Sequence, residues 1–223
     1  MNNPVVVISG ATGAAGTSAA RAFARQGASL ALLSSDRSKL DTLAGELNLS
    51  PARLLLHAGD LSNAEEVKAS ATFVHSKFGR ADILLHLVGG WTGGKTLAET
   101  PSSDLQAMVS QHLWTTFHLV QAFVPGMVHN GWGRVIIISS PVATQTPAKM
   151  GAYAVGKAAE DALLLTLAQE VKETGVTANI IQVRSIDAAG TGKGTNLDEI
   201  VSAMLYLCSD SAASINGARL PLF

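Results

Sequence analysis

Tyr153-Ala154-Val155-Gly156-Lys157 sets a phenol and an ammonium four residues apart, so a helix carries both on one face. A free phenol, with a pKa of about 10, is a poor base at neutral pH; a neighbouring ammonium favours its charged form and brings proton transfer within range. Thirteen positions upstream, Ser140 closes the apolar run 135–139, from where its hydroxyl can face the phenol across a cleft. A strand-end serine alone is more often a turn residue, and the Tyr–Lys pair alone is a weak signal. Together the three side chains point to acid–base chemistry.

A second motif supplies a place for a cofactor. The apolar run 5–9 leads into Gly10-Ala11-Thr12-Gly13-Ala14-Ala15-Gly16, and a helical pattern starts at once, an order of strand, turn and helix. Glycines let such a turn approach a pyrophosphate, whose charge is met by free N–H groups at the positive end of the helix. Small Ala14 and Ala15 keep that approach open. One strand later come Ser34, Ser35, Asp36 and Arg37, where an adenosine ribose would lie in a dinucleotide-binding unit. Two hydroxyls and a guanidinium suit a 2′-phosphate, so NADP(H) is favoured over NAD(H); Asp36 argues the other way. Asp60 and Leu61 follow beyond the next apolar run.

The elements that must position these groups alternate. Strands are expected at 5–9, 29–34, 53–57, 83–87, 135–139, 177–183 and 218–222, and helices at 14–26, 38–47, 64–78, 103–111, 113–129, 153–173 and 197–208, with Asn63 capping the third and Pro101 preceding the fourth. Right-handed crossovers between parallel strands make this an α/β, doubly wound Rossmann-type fold, one domain over 1–223, with a central seven-stranded parallel sheet flanked by helices. The irregular stretches 89–100, 141–152 and 185–196 each follow the C-terminal end of a strand, where open α/β sheets bind ligands. The glycine-rich stretch 190–195 lacks Walker spacing and reads as a mobile surface loop.

Bulk properties narrow the class. In 223 residues, 47% are hydrophobic and 15% charged, which suits a packed core rather than a disordered chain. Sixteen basic against seventeen acidic residues leave a net charge of -1, so no basic footprint for nucleic acid is present. No apolar run reaches the roughly 20 residues of a membrane span. A single cysteine, Cys208, and an N-terminus without a secretory pattern lead to a cytoplasmic expectation. No metal site is expected.

Ser9 to Gly16 resembles the Thr-Gly-x-x-x-Gly-x-Gly turn of the short-chain dehydrogenases/reductases, with Ser9 for Thr and Ala14 for the middle glycine. Ser140, Tyr153 and Lys157 match that family's Ser, Tyr and Lys at its spacing, and the resemblance runs from about Val5 to Leu222. It implies a division of labour: Ser140 polarises a carbonyl, Tyr153 gives or takes the proton, and Lys157 favours the phenolate and holds the nicotinamide ribose. It further implies that Asp60 meets the adenine, that Val88 and Gly89 bind the cofactor while Gly89 and Gly90 permit its close approach, and that Ile186 offers a backbone group to the nicotinamide amide. It also implies a homo-oligomer, dimer or tetramer, acting on a small carbonyl or alcohol.

The chain departs from the family at several places. His112 stands where an asparagine holds a water linked to the lysine; two ring nitrogens let histidine continue a relay, with a pH dependence of its own. The Asn-Asn-Ala-Gly strand end is His86-Leu87-Val88-Gly89 here, so His86 must take over hydrogen bonds that fix the sheet. Val183-Arg184 replaces Pro-Gly, the family's later threonine falls at Ala188, and the lid, residues 187–196, is short. These changes keep a second reading open, a dinucleotide-binding sensor or regulatory protein with little turnover; the retained Ser–Tyr–Lys set favours an enzyme.

Overall fold

Runs of Val, Ile and Leu too short for helices pair side by side in the computed structural model, which describes residues 3–223. The strands are β1 (Val5–Ser9), β2 (Ser29–Ser34), β3 (Leu54–Ala58), β4 (Ile83–His86), β5 (Gly133–Ser139), β6 (Val176–Gln182), β7 (Ile186–Asp187), β8 (Thr195–Asn196) and β9 (Arg219–Pro221). Seven of them form a parallel sheet in the order β3-β2-β1-β4-β5-β6-β9, and β7 and β8 pair separately. The chain order reverses between β1 and β4, which leaves a crevice at their C-terminal ends, beyond Ser9 and His86.

Alternation along each strand divides the core. Val5 and Val7 of β1, with Leu84, Val135 and Ile137, face one layer; Val6 and Ile8, with Leu85 and Ile136, face the other. The first layer is covered by α3 (Ala64–Phe78), α5 (Thr115–His129) and α7 (Gly151–Glu170), through residues such as Val67, Leu119, Phe123 and Leu164. The second is covered by α1 (Ala14–Arg25), α2 (Arg37–Leu47) and α8 (Leu197–Cys208), through Phe23, Leu40, Ile200 and Met204. Burial on both faces explains why these strands read as continuous apolar runs. Among the described residues no helix is long and apolar enough to cross a membrane.

Several local features follow the sequence closely. The Asn63 side chain accepts from Glu65 N at 2.9 Å and starts α3, and Pro101 stands at the N-cap of α4 (Ser102–Val109). Others differ. The expected helices 103–111 and 113–129 are not separated, because no breaker lies between them. They join through a π turn, Ser110–Trp114, whose flanking residues Val109 and Thr115 keep right-handed helical dihedrals. The long helix begins at Gly151 rather than 153 and ends at Glu170 rather than 173, ahead of a turn with Glu173 and Gly175 at positive φ. The one-turn helix α6 (Val142–Gln145) and the pair β7/β8 were too short to leave a periodic signal.

The stretch 190–195 has more organisation than a bare surface loop. Asp187 accepts from Thr191 N at 2.9 Å, Gly192 N at 2.6 Å and Thr191 Oγ1 at 3.2 Å, so one carboxylate gathers the lid into a hook. At the other side of β6, Asn179 donates to Ile215 O at 2.7 Å and accepts from Ala218 N at 3.0 Å, which pins the approach to β9.

Candidate functional site

The turn after β1 is built by backbone crowding. Gly10 has φ +70°, and a Cβ there would lie 2.6 Å from the Leu87 carbonyl oxygen at the end of β4. A Cβ on Gly16 would fall on the Gly10 carbonyl oxygen and the Ala11 backbone. The first intrahelical bond of α1 is Thr17 N to Gly13 O at 2.8 Å, and Gly13 caps the helix without a side chain. The N–H groups of Ala14, Ala15 and Gly16 therefore precede the helical ladder and suit an anion at the positive helix end.

Two cavities meet at this turn. One, of about 400 Å³, is lined by Gly10, Thr12, Gly13, Ser34, Ser35, Asp60 and Leu61. The other, of about 570 Å³, is lined by Ala14, Ala15, Ser140, Met150, Tyr153, Lys157 and Ile186. Both include Gly13, Val88 and Gly89, so they are the two arms of one trough, and of the expected adenosine residues Arg37 lines neither arm. This shape, with free helix N–H groups at its waist, fits an extended dinucleotide.

Within the first arm the polar groups are already engaged. Ser34 Oγ lies 2.7 Å from Thr12 Oγ1 and accepts from Asp36 N at 3.3 Å. The Asp36 carboxylate caps α2 by accepting from Lys39 N at 3.0 Å, and these contacts hold it below the usual carboxylate pKa. Arg37 donates through Nε to Asp41 at 3.0 and 3.1 Å on the exposed helix face. Asp60 accepts from Ser62 N at 2.9 Å and from Ser62 Oγ at 2.8 Å, which keeps it at the rim.

In the second arm, α7 presents Tyr153 and Lys157 as their spacing requires, and Ser140 faces the same cavity from the end of β5. The Lys157 ammonium donates to Ile138 O at 2.8 Å and to Glu160 Oε2 at 2.7 Å. Gly156 brings α7 against the π turn, where a Cβ would meet the Met108 carbonyl at 2.8 Å and the His112 ring at 3.0 Å. The His112 ring packs edge-on to Tyr153, with centroids 5.6 Å apart.

Glu160 is the functional candidate that sequence reasoning missed. Its signal is an acidic residue three positions after Lys157 and seven after Tyr153, on the same helix face within an apolar stripe. It is fully buried, with His86 Nε2 at 3.5 Å from Oε1 and His112 Nδ1 at 3.9 Å from Oε2. Burial raises the Glu160 pKa to about 7, against the lowering effect of Lys157. Burial, with Lys157 adding to it, pushes both histidines down to about 3, so they are neutral.

The neutral rings have defined roles. His86 Nδ1 lies 2.7 Å from Ser9 Oγ and Nε2 lies 3.3 Å from Thr115 Oγ1, so His86 bridges β1, β4 and α5 as its replacement of the family asparagine requires. His112 Nε2 lies 3.2 Å from Gly90 O, a carbonyl that only accepts, so this nitrogen carries the proton and Nδ1 presents a lone pair towards Glu160.

Acid stability should carry this signature. Between pH 4.5 and 6.5 unfolding lets two histidines gain protons while Glu160 loses one, so the unfolded chain binds a net proton and stability rises with pH, on the order of 1 kcal/mol per pH unit. Urea midpoints across this range should fall on acidification, less steeply in His86→Asn/His112→Asn. An unchanged slope in the folded double variant contradicts the assignment.

Comparison with known proteins agrees with this geometry. Residues 4–198 match the family described as short chain dehydrogenase. The chain is 28% identical to D-beta-hydroxybutyrate dehydrogenase of Rhizobium meliloti, over 97% of this chain and 95% of the relative. It is 26% identical to 7alpha-hydroxysteroid dehydrogenase of Escherichia coli (strain K12), over 99% and 92%. A solved short chain dehydrogenase from Bacillus anthracis superposes with a TM-score of 0.88 at 26% identity, covering 98% of this chain and 94% of that one. The chain belongs to the short chain dehydrogenase family and is an NAD(P)-dependent oxidoreductase.

Proposed function

We propose that the protein reduces a small neutral or apolar carbonyl compound, or oxidises the matching alcohol, through Ser140, Tyr153 and Lys157. The observation that carries this reading is that all three line the arm of the trough that opens from the glycine turn. A nicotinamide held in that arm would supply or accept the hydride. Tyr153 exchanges the proton with the substrate oxygen, Ser140 donates a hydrogen bond to that oxygen, and Lys157 supplies the positive charge behind the phenol. Trp91, Met150, Val142 and Val183 make the substrate side mainly apolar, and Trp91 Nε1 donates to Met150 Sδ at 3.3 Å. Arg184 at the mouth lies over the Phe223 ring, 4.7 Å from its centroid.

The proposal includes His112 as a polar neighbour of the site, a single domain, a homo-oligomer, a cytoplasmic location and NADP(H) as the preferred cofactor. The last rests on Ser35 lining the adenosine arm while Asp36 is spent on the cap of α2. The direct test is a thermal-shift comparison of NADPH with NADH, followed by cofactor oxidation against a panel of carbonyl compounds. A shift without turnover on any compound would favour the sensor reading. Ser35→Asp should move preference towards NADH by about tenfold, because a carboxylate there repels a 2′-phosphate and accepts from ribose hydroxyls. Equal affinities for both cofactors in the two proteins would count against this placement.

A further inference from the structure

Glu160 has no place in the roles just assigned, yet its carboxyl is wholly buried. A buried carboxylate is usually less stabilising than an apolar residue of similar volume, so its retention asks for a use. Its surroundings define one. Lys157, on the same helix, donates to Oε2 at 2.7 Å. His86 of β4 turns Nε2 towards Oε1 at 3.5 Å, and His112 of the π turn places Nδ1 3.9 Å from Oε2.

The remaining neighbours are polar or charged at longer reach. Thr116 of α5 lies 3.5 Å from Oε1 but already donates to His112 O at 2.6 Å. Asp161 is engaged with Arg219 of β9 at 3.0 Å and acts on Glu160 as a like charge. Ser9 and Thr115 meet His86 from its other edges, and Tyr153 meets His112.

Proton positions follow from these distances. Thr115 donates to Gln111 O, so its oxygen accepts from His86 Nε2–H, and Ser9 O–H donates to Nδ1. His112 Nδ1 has no hydrogen-bond partner among the described residues, and its lone pair faces the carboxyl. An ionised Glu160 sets acceptor against acceptor there and cancels the Lys157 charge. A neutral Glu160 relieves that contact and leaves Lys157 uncompensated.

We infer that Glu160 is a positioning residue that governs, by gaining or losing its own proton, how much of the Lys157 charge acts on Tyr153. This rests on the oxidoreductase reading for its use, but not for its detection. Tyr153 and Lys157 stand four residues apart on α7 and line one cavity, so a neutral Glu160 leaves a full ammonium at that cavity and an ionised one leaves a neutral ion pair. The proton that Glu160 gains or loses is exchanged with water, and no other bond changes. Protonation of Glu160 near neutral pH places the change within an ordinary working range.

The chain has two tyrosines, so Tyr206→Phe, at a half-exposed position, leaves Tyr153 as the only phenol. In that background, with no substrate or cofactor present, ultraviolet absorbance reports the Tyr153 phenolate directly. Glu160→Gln and Glu160→Leu should each move its appearance to lower pH by about one unit, a tenfold rise in phenolate at fixed pH. Equal shifts in the two variants point to charge rather than packing. An unmoved titration in either folded variant overturns the inference.

Should neither variant fold, carbon-13 labelling of glutamate in the Tyr206→Phe protein remains decisive. One carboxyl should titrate near pH 7, and Lys157→Met should move it upwards; all carboxyls titrating below about pH 6 overturns the proposal. Turnover enters neither readout. A failed substrate panel therefore bears on the oxidoreductase reading, and a failed titration on the role of Glu160.

Discussion

Tyr153→Phe should lower turnover by roughly 10²- to 10⁴-fold while leaving the cofactor-induced thermal shift in place, since it removes one proton-transferring hydroxyl and little else. The ring packs edge-on against His112 with centroids 5.6 Å apart, a contact phenylalanine keeps. Lys157 remains fixed by Ile138 O at 2.8 Å and Glu160 at 2.7 Å, so the surrounding cluster is not disturbed. Single-turnover reduction of an active carbonyl compound, with wild type beside the variant, measures the effect on the chemical step. Retention of more than about a tenth of the wild-type rate would remove Tyr153 from the proton transfer.

Gly16→Ala should cost about 3 kcal/mol of folding stability and abolish the cofactor-induced shift, although alanine is the better helix former. The added methyl would occupy the space of the Gly10 carbonyl and the Ala11 backbone, neither of which can rotate away. To make room, α1 must lift from the turn, and the N–H groups of Ala14 and Ala15 leave the waist of the trough. Gly45 on α2 supplies the control, because nothing lies within 4 Å of a Cβ there and Gly45→Ala should be neutral or stabilising. Urea denaturation of both variants checks this contrast, and a Gly16→Ala protein as stable as wild type would refute the crowding.

The sheet was legible because both of its faces are buried: each apolar run had to be a strand, and the expected bounds 5–9 and 29–34 match β1 and β2. The motif residues were legible for another reason. A glycine turn and a Tyr–Lys pair need fixed chain spacing, and spacing is what a sequence displays. Contacts between distant segments were less accessible. His86 and His112 could be located as substitutions, but their shared partner Glu160 is distant from both along the chain, and only the packing of α7 over β4 and the π turn brings them together. Likewise the Asp187 hook depends on side chain to backbone bonds across a loop, which leave no period.

Between α4 and α5 the chain makes a π turn at Ser110–Trp114. Such a turn is a regular helix with one residue too many, so deletion of a single residue here would restore an uninterrupted hydrogen-bond ladder from α4 into α5. The flanking helices would keep their register, because the wide turn absorbs the extra residue locally, and the change would fall on the residues of the turn itself. His112 lies within that turn, so its reach to Gly90 and to Glu160 depends on the extra residue. An easy mutational step towards a better helix is thus a step out of the site, and descendants of this chain can keep its wiring only by tolerating the irregularity.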